Sequence, residues 1–151
     1  MNQWQSVEDV LDFAIAREQE SADLYNELSE KMDRPYMKQV FAGFAREELG
    51  HKARITAIKE GKLMAPAAKE VTDLKIGDYL VAEEATADMD YQDALILAMK
   101  KEKAAFRLYS DLAAATDVPE LVDTFKALSQ EEAKHKLRFE LEYDEHYLTE
   151  N

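Results

Sequence analysis

The feature that most constrains the fold of this chain is an internal repeat at an offset of 84 residues. Residues 9–54 align with residues 93–138 without a gap, and 15 of these 46 positions are identical. Average composition would give about three identities by chance. The identical pairs include Glu18 with Glu102 and His51 with His135. A duplicated unit predicts two similar halves related by a pseudo-two-fold axis, and a site on that axis would receive the same ligands from both.

Each repeat has the pattern of a pair of long helices. The chain contains only four glycines and three prolines, and its apolar residues recur at helical spacing. Helices are predicted over residues 6–32, 35–60, 90–115 and 119–143, with a tight break ending in proline inside each pair. Residues 62–89 form a long connection, in which residues 73–81 are expected to form a short helix or turn. Residues 1–151 are therefore predicted to be one all-α domain, a four-helix bundle of two antiparallel helix hairpins joined by a long crossover.

Two of the three histidines lie at equivalent positions of the repeat, and each follows a glutamate by three residues. Glu48 and His51 therefore share one face of the second helix, as Glu132 and His135 share one face of the fourth. The other residues on these faces are apolar. The four side chains are thus predicted to point into the core of the bundle.

The first and third helices carry one acidic residue each in an otherwise apolar stripe. Glu18 and Glu102 stand seven residues from apolar neighbours on both sides, so they too are predicted to face the core. Four unpaired buried carboxylates would be very costly or would bind protons. A pair of metal ions would neutralise them. Carboxylate and imidazole ligands without sulfur suit iron or manganese, and zinc can occupy such a site as well.

Four further residues flank the predicted ligands. Glu47 and Glu131, each four residues before a histidine, are alternative ligands. The apolar stripe favours Glu48 and Glu132 instead, and predicts that the other two face water or a basic residue. Tyr25 and Tyr109 lie two turns beyond the glutamates of their helices. They are expected either to hydrogen-bond a ligand carboxylate across the bundle or to be core tyrosines that reach any nearby acceptor.

Composition excludes several classes of function. The chain has no cysteine, which rules out disulfides, thiolate metal sites and cysteine nucleophiles. The 32 acidic and 19 basic residues give a net charge of −13, which argues against nucleic acid or an anionic membrane as a partner. No segment is apolar enough to span a bilayer. Residues 1–8 lack the pattern of a secretory signal, so a cytoplasmic location is expected.

These motifs resemble those of the rubrerythrin (erythrin) family, within the ferritin-like di-iron carboxylate superfamily. The resemblance covers nearly the whole chain and rests on two kinds of motif, Glu18-x6-Tyr25 with Glu102-x6-Tyr109, and Glu47-Glu48-x-x-His51 with Glu131-Glu132-x-x-His135. It implies a ferritin-like bundle with a pair of iron ions. It also implies that Glu48 and Glu132 bridge the metals, that Glu18 and Glu102 are terminal or bridging ligands, and that each histidine caps one metal.

The sequence departs from the family pattern in two ways. Rubrerythrins usually carry a second glutamate one turn after the third-helix ligand, where this chain has Ala105, and the equivalent residue of the first repeat is Ser21. The ligand set is thus more symmetric, closer to that of bacterioferritin-like sites. Typical rubrerythrins also append a rubredoxin domain with four cysteines, which this sequence lacks. An electron donor would therefore be a separate protein, such as a rubredoxin, or a small molecule.

Three functions follow from the site and the resemblance. The leading hypothesis is a non-haem di-iron oxidoreductase that reduces hydrogen peroxide or dioxygen and acts through Glu18, Glu48, His51, Glu102, Glu132 and His135. The second is a ferroxidase or iron-handling protein. The third is a non-enzymatic binding module that the metals merely stabilise. A homodimer is expected, because erythrins commonly pair or exchange helices.

Overall fold

The computed structural model describes residues 6–61, 63, 74–75, 78–81 and 89–148. Its four long helices are α1 (Val7–Lys31), α2 (Pro35–Glu60), α3 (Tyr91–Ala115) and α4 (Pro119–Tyr143), and a π-helical turn (Asp144–Leu148) follows α4. α1 packs along α2, and α3 packs along α4. The predicted all-α bundle of two helix hairpins is confirmed, and the predicted helix bounds agree to within one residue. None of these helices is long and apolar enough to cross a membrane.

The helices begin where local chemistry favours it, in the same way in both halves. The side chains of Ser6 and Asp90 cap α1 and α3 by accepting hydrogen bonds from backbone N–H groups three residues on, at 3.1 and 2.8 Å. α2 and α4 begin at Pro35 and Pro119, where the missing N–H costs nothing in the first turn. Only three residues separate the helices of each hairpin, so the partners are forced to lie side by side.

The buried apolar residues form two clusters, one toward each end of the bundle. The first cluster combines the start of α1 with the end of α3, and includes Leu11, Leu112 and Phe125. The second combines the end of α1 with the start of α3, and includes Leu28, Leu95 and Phe139. α1 and α3 therefore run in opposite directions, as the pseudo-two-fold repeat requires. Between the two clusters the same helices carry a layer of buried polar side chains.

The crossover between α2 and α3 contacts the bundle through a short stretch. A turn forms at residues 78–79, where the Asp78 N–H donates to the Lys75 carbonyl at 3.0 Å. Tyr79 is buried in the first cluster, and its hydroxyl donates to Asp111 on α3 at 2.6 Å. The described part of predicted segment 73–81 thus forms a turn that packs down. Its residues 73, 76 and 77, and most of crossover 62–89, lie outside the described residues.

Candidate metal centre

The polar layer at the middle of the bundle brings together the four glutamates and two histidines singled out in the sequence. α1 and α3 each contribute one glutamate, and α2 and α4 each contribute a glutamate and a histidine one turn apart. None of the six is more than 2% exposed to solvent, although carboxylates are rarely buried so completely without a partner. They are Glu18, Glu48, His51, Glu102, Glu132 and His135.

These six side chains form two overlapping sets of potential metal ligands. Glu18, Glu48, His51 and Glu132 make one set, and Glu48, Glu102, Glu132 and His135 make the other; within each set the ligand atoms lie within 4.8 Å of one another. Glu48 and Glu132 belong to both sets. The arrangement has room for two ions, each with its own glutamate and histidine and with two carboxylates in common.

The same ring nitrogen of each histidine faces the carboxylates. His51 Nδ1 lies 3.0 Å from Glu132 Oε1 and 3.5 Å from Glu18 Oε2. His135 Nδ1 lies 2.9 Å from Glu48 Oε1 and 3.6 Å from Glu102 Oε1. The two imidazole rings are nearly parallel, with centroids 6.2 Å apart. Each histidine is thus closest to the Glu-x-x-His glutamate of the opposite half, a proximity that only the folded bundle creates.

Many polar atoms of this cluster make no hydrogen bond. Nine buried atoms of the six side chains have no hydrogen-bond partner among the described residues, including both nitrogens of each histidine and both oxygens of Glu48. Native proteins pair nearly all buried polar atoms, because an unpaired one costs about 1–3 kcal/mol. Oxygen and nitrogen atoms that converge without hydrogen-bonding one another are what a metal site requires. The residues therefore fit a pair of metal ions, and a carboxylate-rich set without sulfur suits iron.

Two tyrosines fix the outer carboxylates from across the bundle. The Tyr109 hydroxyl donates to Glu18 Oε1 at 2.5 Å, and the Tyr25 hydroxyl donates to Glu102 Oε1. Both rings are buried. Each bond joins α1 to α3 and leaves the second oxygen of the glutamate without a hydrogen bond. The tyrosines thus orient the free oxygens of Glu18 and Glu102.

Crowding of the carboxylates shifts their acidity. Burial raises the pKa of Glu48, and the charges of Glu102, Glu132 and Glu18 raise it further. Burial likewise raises the pKa of Glu132, with Glu102 and Glu18 adding to the shift, and burial raises the pKa of Glu102. Burial opposes the charged form of His135, but Glu102 and Glu48 outweigh it and raise the pKa to about 10. Without metal, the cluster therefore holds protons that cations would displace.

The tyrosine hydroxyls stay protonated donors in this setting. Burial raises the pKa of Tyr25 well above its usual value, and the nearby carboxylates of Glu102 and Glu48 raise it further. Burial raises the pKa of Tyr109 in the same way, together with Glu18 and Glu132. A phenol that stays protonated beside a carboxylate continues to donate a hydrogen bond to that carboxylate.

Glu47 and Glu131, which directly precede the predicted ligands, lie near the two histidines, and the sequence pattern did not predict this. Glu131 pairs with Arg54 at 3.0 Å, and both Glu131 and Glu47 are partly exposed, which is the environment that the stripe pattern predicted. Each also approaches the outward nitrogen of a histidine. Glu131 lies 3.5 Å from His51 Nε2, and Glu47 lies 3.3 Å from His135 Nε2. The Glu-Glu pair in both repeats was the signal in the sequence for these two residues. It could not indicate that each of them contacts the histidine of the other half.

Comparison with known proteins agrees with this geometry. Residues 9–143 match the family model described as Rubrerythrin. The fold is similar to the 2.30 Å crystal structure of a Thermotoga maritima protein provisionally described as a ferritin-like diiron-carboxylate protein, with a TM-score of 0.76 and 22% sequence identity. The similarity covers 93% of this chain and 96% of the other. No curated protein matches the sequence. Because the family match spans most of its length, the chain belongs to the rubrerythrin family.

Proposed function

We propose that the protein is a non-haem di-iron oxidoreductase that reduces hydrogen peroxide. The observation that carries the proposal is the cluster of nine buried ligand atoms without hydrogen-bond partners, in two overlapping sets. A structural metal site is usually closed by four ligands to one ion. Two adjacent carboxylate-rich sets instead suit a pair of redox metals that act together on one small substrate.

In this proposal the two sets divide the ligand roles. Glu48 and Glu132 occur in both sets and would bridge the two ions. Glu18 and His51 would complete one ion's ligands, and Glu102 and His135 would complete the other's. Iron is the proposed cofactor, and manganese or zinc are possible substitutes. When bound, two ferrous ions supply one electron each, which matches the two electrons needed to cleave the O–O bond of peroxide.

The chain's own residues prepare this chemistry. The hydroxyls of Tyr25 and Tyr109 hold the outer carboxylates in position, so their free oxygens need little reorganisation to bind a cation. His51 and His135 present Nδ1 to the carboxylates while Nε2 faces Glu131 and Glu47. The apolar clusters shield both ends of the layer from bulk water, and its six ligand side chains are at most 2% exposed. A dry site strengthens every charge interaction within it.

Stopped-flow mixing is the direct test of peroxide reduction. The diferrous protein, prepared without oxygen, is mixed with hydrogen peroxide, and ferric absorption is followed with time. Oxidation much faster than that of free ferrous ion at the same concentration is expected. Equal rates would contradict the proposal. The same measurement with dioxygen identifies the preferred oxidant.

The remaining partners are part of the same proposal. The sequence contains no cysteine, so electrons would come from a separate donor such as a rubredoxin. We also propose a homodimer in the cytoplasm. Reduction of the ferric protein by an added rubredoxin tests the donor, and light scattering tests the dimer.

One observation favours ferroxidase or iron handling as a second candidate function. The positions one turn after the outer glutamates are Ser21 and Ala105, so the ligand set is the same from both halves. A site that oxidises ferrous iron as its substrate would release ferric product and take up more iron. Repeated ferrous additions test this, because turnover beyond two irons per chain supports a ferroxidase. If the purified protein carries zinc and its iron form is redox-inactive, the metals are structural and both proposals fail.

A further inference from the structure

A cavity of about 210 Å³ lies beside the metal-ligand layer, between α1, α3 and the crossover. Glu18 and Glu132 contribute to its wall, and so does Tyr109. All three are buried, so the cavity extends from the surface to the proposed metal site. It is the natural route by which a substrate reaches the carboxylates. Its size and lining then say what kind of substrate fits.

Apolar side chains form one part of a cavity wall that also carries polar groups. Phe13 from α1 and Leu108 from α3 line this space together with Leu80 and Val81 from the crossover. Leu80 is 52% exposed, so these apolar side chains extend from the surface inward. Hydrogen peroxide hydrogen-bonds much as water does and gains nothing from the apolar part of this wall. An organic group does gain from it.

The room in the cavity comes from small residues in the stripes of α1 and α3. Ser21 and Ala105, equivalent in the two repeats, both line it, as do Ala14 and Ala104. Bulkier side chains at these positions would fill the space between the helices. For scale, an apolar protein cavity of about 150 Å³ accommodates benzene. The cavity is thus large enough for one small branched or aromatic group.

Apart from Glu18 and Glu132 at the buried end, the charged residues of the lining reach solvent. Arg17, Glu20 and Lys101 line the cavity and are at least partly exposed. The Arg17 guanidinium ion-pairs with Glu20 and stacks over the Phe13 ring, 4.7 Å from its centroid. This contact holds the aromatic ring in the wall. The lining therefore combines solvent-exposed charged groups, a set of apolar side chains, and two glutamates at the buried metal-ligand end.

We propose that this cavity binds the organic group of an alkyl or aryl hydroperoxide, and that such hydroperoxides are substrates of the metal site. The inference rests on the proposed peroxide reduction and names its substrate class. The organic group lies along Phe13, Leu80, Val81 and Leu108, and the hydroperoxide oxygens point toward Glu18. The O–O bond breaks, two electrons from the ferrous pair and two protons from solvent are taken up, and an alcohol and water leave.

Binding is tested apart from turnover with 2-phenyl-2-propanol, the alcohol produced from cumene hydroperoxide. Equilibrium dialysis of the protein as purified is expected to show one saturable equivalent. Ala105→Leu adds a larger side chain to the cavity wall and should weaken binding at least about tenfold. Ala104→Leu does the same at the neighbouring lining position, so it serves if the first variant is unstable by circular dichroism. Ala53→Leu, on the exposed face of α2, is the matched control and should bind normally.

Turnover gives the second arm of the test. The ratio of kcat/KM for cumene hydroperoxide to kcat/KM for hydrogen peroxide should fall at least about tenfold in the filled variants and stay constant in Ala53→Leu. Absence of alcohol binding, or equal binding by the filled variants, overturns the inference. Reduction of hydrogen peroxide but not of cumene hydroperoxide overturns it and leaves the proposed function standing. Reduction of neither overturns both.

Discussion

At the scale of single residues, the site depends on groups that reach across the bundle. Tyr25 of one repeat holds the glutamate of the other, and Tyr109 returns the same contact. Each hydroxyl satisfies one carboxylate oxygen and leaves the other for a cation. These tyrosines therefore orient the ligand carboxylates in addition to packing in the core. Removal of the tyrosine hydroxyl separates the two contributions.

Tyr25→Phe and Tyr109→Phe should weaken metal binding to a similar extent. Each change keeps the buried ring and removes the hydroxyl that orients a glutamate, and loss of such a partner typically lowers metal affinity about 10–100-fold. Titration against a competing chelator measures the effect. Tyr36→Phe, at a tyrosine that is 65% exposed, is the control. Unchanged affinity in both core variants would show that the tyrosines are structural only.

Metal stoichiometry distinguishes the shared from the unshared ligands. Glu48 belongs to both ligand sets, so Glu48→Ala should remove most of both ions, whereas His51→Ala should remove mainly one. Metal analysis of protein purified without oxygen measures the ions per chain. His146→Ala, at the third histidine, should retain both. If Glu48→Ala and His51→Ala keep full occupancy, the ligand assignment is wrong.

At the scale of helices, a second polar cluster joins three elements at one end of the bundle. Glu142 near the end of α4 is 1% exposed and accepts bonds from Arg34, which precedes α2, and from Tyr91 at the start of α3, both at 2.5 Å. His146 in the π-helical turn lies 3.3 Å from the same carboxylate. His146 is thus half-buried rather than freely exposed. The cluster connects the starts of α2 and α3 to the end of α4.

Arg34→Met should destabilise the fold by about 1–3 kcal/mol at neutral pH, because it leaves a buried carboxylate short of its charged partner. Burial alone would raise the pKa of Glu142, but Tyr91 and Arg34 outweigh it and lower the pKa. A lowered pKa gives stability that is present above the pKa of the unfolded carboxyl and is lost as pH falls through the folded one.

Urea denaturation at pH 7 and at pH 3 measures this prediction. The difference between wild type and Arg34→Met should be smaller at pH 3 than at pH 7, because protonation of Glu142 removes the charge that Arg34 pairs with. Arg46→Met, at an exposed arginine of α2, should change stability little at either pH. A difference that does not depend on pH would mean that Arg34 acts through packing.

At the scale of the whole molecule, the bundle gives up continuous apolar packing for the polar layer. Two apolar clusters hold the helices together at either end, and between them four carboxylates are buried together. Burial and mutual repulsion make this layer unfavourable in its ionised, metal-free form. The stability of the whole fold is therefore coupled to protons and to metal.

The metal-free protein should become less stable as pH rises from about 5 to 9. The pKa values of Glu48, Glu102 and Glu132 are raised, so the folded state keeps protons that the unfolded chain releases above its ordinary carboxyl pKa. His135, with a pKa of about 10, acts in the same direction above the ordinary histidine pKa. Each proton of difference lowers the free energy of unfolding by about 1.4 kcal/mol per pH unit.

Thermal or urea denaturation with and without metal measures this coupling. Bound metal requires deprotonated ligands, so its stabilisation should grow with pH over the range in which the metal-free protein weakens. Glu27→Gln, at an exposed glutamate of α1, is a control and should keep the pH trend. A metal-free protein whose stability rises from pH 5 to 9 would contradict the protonation pattern.

Much of the architecture could be predicted from the sequence because it depends on local and periodic signals. The caps at Ser6 and Asp90 and the prolines at 35 and 119 fix where helices begin. Helical spacing fixes which side chains share a face, which is why Glu18 and Glu48 could be assigned to the core although they are acidic. The 84-residue repeat then predicted that both halves would contribute the same residues to one layer.

Contacts between the halves could not be predicted in this way. Helical periodicity says which face a residue occupies but not which residue of another helix it meets, and so the pairing of Tyr25 with Glu102 and of Glu131 with His51 had to come from the fold. The cavity beside Ser21 and Ala105 is likewise lined by residues of α1, α3 and the crossover that are distant in sequence. The sequence by itself therefore determined the helices and the ligand types. Only the tertiary structure decided which atoms meet, because such contacts depend on the packing of elements distant in sequence.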